Sequence, residues 1–348
     1  MDFTLRPLSE TDGPALDALL RTEAPTTAMA LSTHYRYDLY QALLAQHPTF
    51  FGVVAEAPGV AGLAGMATAV PDETLVEGRA VPRIFLENLK VHHDARRQGL
   101  GGRLAEWRIS EGRRRLGDDV LVMAGVDATN AASLATAGHW ATQVLGPVPV
   151  VIARTTRKPP AADGLRLRPM EERDTEAVVD ALSAFYTGFN LAPRLTPERL
   201  TALLAPTAIG APIRRYRVVE AGDGTLLAGA SVTERFALMT ERIERVPKPL
   251  ALLAKVLPVI PPDRVIRQAE VTLAWHAPGR PDAGRLLWDG IRYEWSDRAT
   301  HVAGLADDRS ALAKVFRPDR MPGPRVRIRV PVQSAVLLDE ARPLYLGR

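Results

Sequence analysis

The sequence predicts an α/β protein built as two tandem domains, and three observations carry that prediction. The chain starts over halfway: Leu5-Arg6-Pro7-Leu8-Ser9-Glu10-Thr11-Asp12 returns as Leu167-Arg168-Pro169-Met170-Glu171-Glu172-Arg173-Asp174, a shift of 162 positions. Each half then runs through the same order of elements: strand-helix, hairpin, strand-turn-helix and strand-helix. Between them lies Thr155-Thr156-Arg157-Lys158-Pro159-Pro160-Ala161-Ala162-Asp163-Gly164, a polar stretch with two prolines that reads as a linker. At 348 residues the chain exceeds the usual single-domain size, and the domains divide as 1–157 and 158–348.

The elements follow in order. Leu5 to Pro7 is a short strand running into a helix that Asp12 can cap, and Asp174 repeats this in the second half. Phe51–Glu56, a Pro-Gly turn and Leu63–Ala67 form a hairpin, matched by Tyr216–Glu220, the turn Gly222-Asp223-Gly224 and Leu227–Val232. Ile84–Val91 is a strand whose alternation puts Phe85, Glu87, Leu89 and Val91 on one face. Val120–Val126 is the next strand. Thr129 or Asn130 then caps a short helix that ends before Gly138-His139-Trp140. Ala124-Gly125-Val126-Asp127 is echoed by Ala303-Gly304-Leu305-Ala306. Residues 246–262 have the composition of a short apolar helix between proline stops, a candidate interface cover, dimer contact or cleft lining.

The most telling stretch is Val91-His92-His93-Asp94-Ala95-Arg96-Arg97-Gln98-Gly99-Leu100-Gly101-Gly102-Arg103-Leu104, where a strand turns through glycine into a helix. Glycine lets several backbone N–H groups converge on one anion, and the helix start adds its positive dipole end. Arg96, Arg97 and Arg103 surround the turn with charge that suits a pyrophosphate. A dinucleotide fingerprint would need a third glycine and a later acidic residue, and a Walker loop would need Gly-Lys-Ser/Thr; neither is present.

This stretch resembles motif A of the GNAT N-acetyltransferase superfamily, whose acetyl-CoA loop reads Arg/Gln-x-x-Gly-x-Gly/Ala. Arg96, Gly99 and Gly101 match it, with Val91 at the apolar strand end and Leu104 at the apolar helix position. The resemblance implies two tandem GNAT-fold domains, each a mixed, mostly antiparallel sheet flanked by helices, with acetyl-CoA as co-substrate. It implies that Arg96, Arg97, Gln98, Gly99, Leu100, Gly101 and Gly102 hold the pyrophosphate. The backbones of Leu89 and Val91 would bind the pantetheine arm where two central strands splay apart. Asn130 and Ser133, with Gly138 and Trp140, resemble motif B, although Ala135 stands where the family's tyrosine acid is expected. Glu87, four residues before Val91, stands where many members carry a general base, and a carboxylate on an apolar face is anomalous in its own right. Its structural alternative is pairing with an arginine such as Arg83. Aligned on the echoes, the second loop would be Trp275–Leu287, with Arg280 at the place of Arg96 but Ala283 and Arg285 replacing the two glycines. The second domain is therefore expected to be degenerate, structural or substrate-shaping.

Composition narrows the classes. With no cysteine the chain has no disulfide, thiolate metal site or cysteine nucleophile. A net charge of +4 over 44 basic and 40 acidic residues, with 6% aromatics, is a weak footprint for nucleic acid. No long apolar run points to a membrane, and the N-terminus lacks a signal-peptide pattern, so a cytoplasmic location is expected. His92 and His93, adjacent on a strand end, would point to opposite sides, and no metal site is expected. Ser32-Thr33-His34-Tyr35-Arg36-Tyr37-Asp38-Leu39-Tyr40 reads either as a wall of the acceptor pocket or as a helix surface packed on the second domain. The expected activity is acetyl transfer to a primary amine of a small molecule by direct attack in a ternary complex. The alternatives are a non-catalytic acyl-CoA sensor and transfer to a hydroxyl or a protein lysine.

Overall fold

The repeat at 5–12 and 167–174 is a repeat of structure down to single hydrogen bonds. In the computed structural model, which describes residues 1–21, 30–246, 260–316 and 326–347, Arg6 forks onto Asp12 at 2.9 and 2.7 Å, and Arg168 forks onto Asp174 at 2.5 and 3.0 Å. Each aspartate also accepts a backbone N–H three residues back, from Ser9 at 2.9 Å and Glu171 at 2.8 Å. Each arginine sends its Nε to a glutamate of the neighbouring strand, Glu56 and Glu220. Both aspartates thus close the turn ahead of the helix rather than capping its first N–H groups as the sequence predicts.

These locks carry a pH dependence. Arginine holds both carboxyls below their usual value, so their stabilisation is present above the unfolded value near 3.8 and is lost as pH falls through the folded values. The side chains of Arg168 and Asp174 are 7% and 8% exposed, whereas Arg6 is 39% exposed. Asp174→Asn is therefore expected to cost about 3 kcal/mol or more, and Asp12→Asn about 1 kcal/mol. Urea unfolding at pH 7 measures the difference. It should shrink as pH falls below the ordinary carboxyl value near 3.8 and the wild-type carboxyls become protonated.

The first half contains β1 (Thr4–Pro7), α1 (Gly13–Arg21), β2 (Ala30–Tyr35), α2 (Leu39–Gln46), β3 (Phe51–Glu56), β4 (Gly65–Val76), β5 (Arg79–Val91), α3 (Leu100–Leu116), β6 (Leu121–Ala124), β7 (Val126–Asp127), α4 (Ala131–Ala137) and β8 (Gln143–Arg154). The second contains β9 (Arg166–Pro169), α5 (Thr175–Phe185), β10 (Ala192–Pro193), α6 (Pro197–Leu204), β11 (Arg214–Glu220), β12 (Leu226–Thr233), β13 (Met239–Arg245), β14 (Val265–Ile266), β15 (Gln268–His276), α7 (Pro281–Glu294), β16 (His301–Leu305), α8 (Leu312–Phe316) and β17 (Arg327–Gln333).

One mixed, mostly antiparallel sheet runs through both halves in the order β1-β3-β4-β5-β6-β17-β8-β16-β15-β12-β11-β9. At its centre the halves exchange strands. β17, from the end of the chain, lies between β6 and β8, and β8, from the first half, pairs with β16 of the second. Only β5–β6 and β15–β16 pair in parallel within this path, one such pair in each half. A second sheet, β14-β13-β2, also joins the halves.

Residues 32–35 of the tyrosine-rich segment thus lie in β2, a strand paired with the second half rather than a helix surface. Asp38 caps α2 by accepting from Gln41 N at 3.0 Å, and Tyr40 packs edge-on against Phe50. Of the 246–262 stretch, residues 247–259 lie outside the described residues.

Helix α3 seats on the sheet because its apolar stripe recurs at helical spacing: Leu100, Leu104, Ala105 and Ile109 are all buried. Gly112 completes the stripe. A Cβ there would stand 2.6 Å from Ile84 Cδ1, so glycine lets the last turns of α3 approach β5 without displacing that side chain.

Candidate active site

β5 pairs with β6 from Arg83↔Leu121 to Leu86↔Ala124, and beyond Leu86 the two strands part. On the other edge of β5 the register against β4 slips between Met66 and Thr68. Asn88, at φ 51°, takes up the extra residue in the left-handed region that asparagine tolerates. One inserted residue reverses which side chains face which side. Phe85 and Glu87 therefore stay on one face, while Leu89 and Val91 pack with Leu100 and Leu104 of α3 on the other. The expected common face of all four is corrected by this bulge.

The bulge is pinned from α3 by Arg108, which is 2% exposed. Its Nη1 donates to the carbonyls of Thr68 at 2.9 Å and Glu87 at 3.0 Å, and its Nε donates to the Leu104 carbonyl at 3.1 Å. Burial pulls the guanidinium down to about 9, and the Glu87 carboxylate acts against that shift. Arg108 was missed in the sequence, although it interrupts the apolar stripe of α3 one turn after Leu104.

A cavity of about 190 Å³ fills the space between the parted strands, bordered by Glu87, Leu89, Arg108, Asn130, Ser133 and Trp140. Glu87 is buried, with Oε2 at 3.6 Å from His47 Nε2. Arg83 bonds Asp72 instead, at 3.0 Å. Asn130 caps α4 by accepting from Ser133 N at 3.1 Å, and Thr129 turns to Asp127.

The glycine loop leads into α3, whose Ala105 and Arg108 line the cavity. Gly99, at φ 79°, is the N-cap of α3, a conformation that favours glycine. No acidic residue stands in the first turn. Gly101 faces α4, since a Cβ there would lie 3.6 Å from Thr136 Oγ1, and Gly102 faces open space. Arg96 bonds the Val91 carbonyl at 3.2 Å and Gln98 bonds the Asp94 carbonyl at 2.9 Å, which fixes the loop's shape. The Arg97 guanidinium, at the exposed surface, has no partner among the described residues. Arg103 turns away to the Phe3 carbonyl at 3.1 Å.

His92 and His93 do not point to opposite sides. The chain enters a 3-10 turn at His93–Ala95, and the two rings lie 4.2 Å apart, tilted, beside Asp94. These three are the one group among the described residues whose side chains could jointly ligate a metal ion.

The second half repeats the backbone but not the chemistry. β12 and β15 slip between Gly229 and Ser231, Leu273 takes φ 48°, and β15 parts from β16 beyond Val271↔Gly304. Thr272, opposite Ser231, occupies the place that Glu87 holds opposite Thr68. The loop into α7 is shorter than the sequence alignment implies. The helix starts at Pro281 after the left-handed Gly279, so Ala283 and Arg285 lie inside it rather than in a phosphate loop. Pro281 lacks an N–H, and Asp282, paired with Arg280 at 2.8 Å, puts a carboxylate at the helix start. Leu344, Tyr345 and Leu346 fill this second opening, leaving about 30 Å³.

Residues 16–138 match the profile of the Acetyltransferase (GNAT) family. No protein of curated function matches the sequence. Among solved structures, Saccharomyces cerevisiae N-myristoyltransferase with bound myristoyl-CoA is similar at TM-score 0.63 and 13% identity, over 95% of this chain and 82% of that one. A GCN5-related N-acetyltransferase from Sphaerobacter thermophilus is similar at TM-score 0.57 and 16% identity, over 99% and 98%. A tandem GNAT protein from the clavulanic acid biosynthesis pathway is similar at TM-score 0.56 and 13% identity, over 97% and 100%. At such identities the structures establish the fold, and no helix among the described residues is long and apolar enough to cross a membrane. The chain thus has a fold similar to that of tandem GNAT proteins, and residues 16–138 of its first half match the acetyltransferase (GNAT) profile.

Proposed function

We propose that the first half binds acetyl-CoA and transfers the acetyl group to a primary amine of a small molecule, by direct attack in a ternary complex. The observation that carries this is the junction of three features: the parting of β5 from β6, the α3 helix start with Gly99 and Gly101, and the buried carboxylate of Glu87 between them. A diphosphate fits the loop because the first turn offers N–H groups and no competing acid, with Arg96, Arg97, Gln98, Leu100 and Gly102 around it. The pantetheine arm would run along the backbone of Leu89 and Val91, past Asn130 and Ser133. A backbone amide of β5 in that opening would stabilise the thioester oxygen as charge develops. Glu87 takes one ammonium proton, the amine attacks the carbonyl carbon, the C–S bond breaks, and the departing thiolate takes the second proton from the nitrogen. Holding both reactants in one cleft supplies most of the acceleration. The second half contributes β17 to the sheet and closes its own opening with residues 344–346, a structural and substrate-shaping role. The protein is expected to work without a metal.

The test is free-thiol release from acetyl-CoA across a panel of spermidine, tyramine, an aminoglycoside and free amino acids. Thiol release that depends on one of these amines, with its acetylated product found by mass spectrometry, is the expected result. Release only with a protein lysine or an alcohol would change the acceptor class. Binding without release would mark a sensor, against the proposal.

A further inference from the structure

His47 follows α2 as its C-cap, on the face of the sheet that carries Glu87, and the fold fixes it from both sides. Its N–H donates to the Leu43 carbonyl at 2.8 Å, and its own carbonyl accepts from Phe50 N at 3.3 Å. The last residue of α2, Gln46, is held through its carbonyl by Arg214 of β11, at 2.9 Å. The second half therefore helps to set where the imidazole stands. The ring and the Glu87 carboxylate are 8% and 4% exposed, 3.6 Å apart. Two titratable groups removed from water together are expensive to bury unless they interact. Among the described residues, Arg108 of α3 reaches the Glu87 carbonyl and feels its carboxylate, and Arg214 of β11 bonds the Gln46 carbonyl beside His47.

We infer that His47 is a positioning and proton-relay residue for Glu87, with neutral Nε2 turned to the carboxylate. This rests on the function proposed above. The ammonium gives its first proton to Glu87, which passes it to His47 Nε2. The freed amine forms the N–C bond, the C–S bond breaks, and the departing thiolate takes the second amine proton. The imidazolium then returns its proton to water, so one proton is released per turnover. At 3.6 Å the pair is longer than a hydrogen bond of 2.7–3.2 Å, and substrate binding would close it, as is common for catalytic contacts seen without substrate.

Two measurements test the relay. The first needs no acceptor: NMR pH titration of the histidine side chains in the CoA-saturated protein, with His47→Gln identifying the resonance, compared between wild type and Glu87→Gln. Removing the carboxylate should lower the His47 pKa by about half a unit or more. An identical titration in both proteins overturns the pairing, whether or not any amine is acetylated. The second is the pH profile of thiol release with the amine that turns over in the panel. His47→Gln should lower kcat about tenfold or more at unchanged KM for acetyl-CoA and shift the acid limb, and added imidazole should partly restore His47→Ala. A His47→Gln profile that superimposes on wild type after scaling, with no imidazole rescue, would reduce His47 to packing and overturn the inference. If wild type releases no thiol with any amine, the proposed function fails while the first measurement still decides the pairing.

Discussion

Glu87→Gln is expected to lower the amine-dependent turnover of acetyl-CoA by about a hundredfold to a thousandfold while leaving acetyl-CoA affinity in place. The exchange keeps shape and removes only the ability to take a proton. The backbone contribution of residue 87 survives, because Arg108 holds its carbonyl and not its carboxylate. The loss should therefore appear in kcat. It should also lessen as pH rises toward the point where the acceptor amine is itself deprotonated, since free amine needs no base. Equal losses of turnover and coenzyme affinity would make Glu87 a structural residue of the bulge. An unchanged rate across the pH range would remove it from the chemistry.

Arg108→Leu is expected to destabilise the protein by about 3–5 kcal/mol, measured by urea unfolding. The bulge carbonyls of Thr68 and Glu87 lose the Arg108 donor inside the sheet-helix interface, the Leu104 carbonyl keeps only its helical N–H, and leucine offers no donor in return. Arg108→Lys should recover only part, because a single ammonium cannot reproduce the guanidinium fork. The bulge itself should loosen in step with the loss. Amide hydrogen exchange at Asn88 and Leu89 is expected to speed up more than exchange in β1 or β3. A stability change below about 1 kcal/mol would mean that the bulge holds without its pin.

Part of this architecture was legible from the sequence because it is written in local signals. The Arg-x-x-x-x-x-Asp spacing that recurs after 162 positions encodes the same fork twice, and Gly99 stands at a helix start in a left-handed conformation where a side chain would be strained. Other parts depend on contacts that no local pattern records. The register slip at Asn88 reverses the faces of β5, because a strand's period of two has no tolerance for an added residue. The exchange of β8 and β17 joins segments nearly two hundred residues apart. His47 meets Glu87 only through the packing of α2 on the sheet. Arg108 had a signal in hand, a charge in the apolar stripe of α3, and it could have been found by asking what a buried arginine there would bind. The second loop is shorter than its echo of the first implies, because its left-handed position is Gly279 and not residue 283, a shortening that no local pattern marks.

Calorimetric titration with CoA, comparing wild type, Gly101→Trp and Arg285→Ala, bears most directly on the claim that the first cleft alone takes the coenzyme. Gly101 looks across the cleft at Thr136, so an indole there would fill the path of the ligand, whereas Arg285 lies within α7. The expected result is one site per chain in wild type and Arg285→Ala, and none in a Gly101→Trp protein whose thermal unfolding remains cooperative. Two sites in wild type, or undiminished binding in Gly101→Trp, would contradict it.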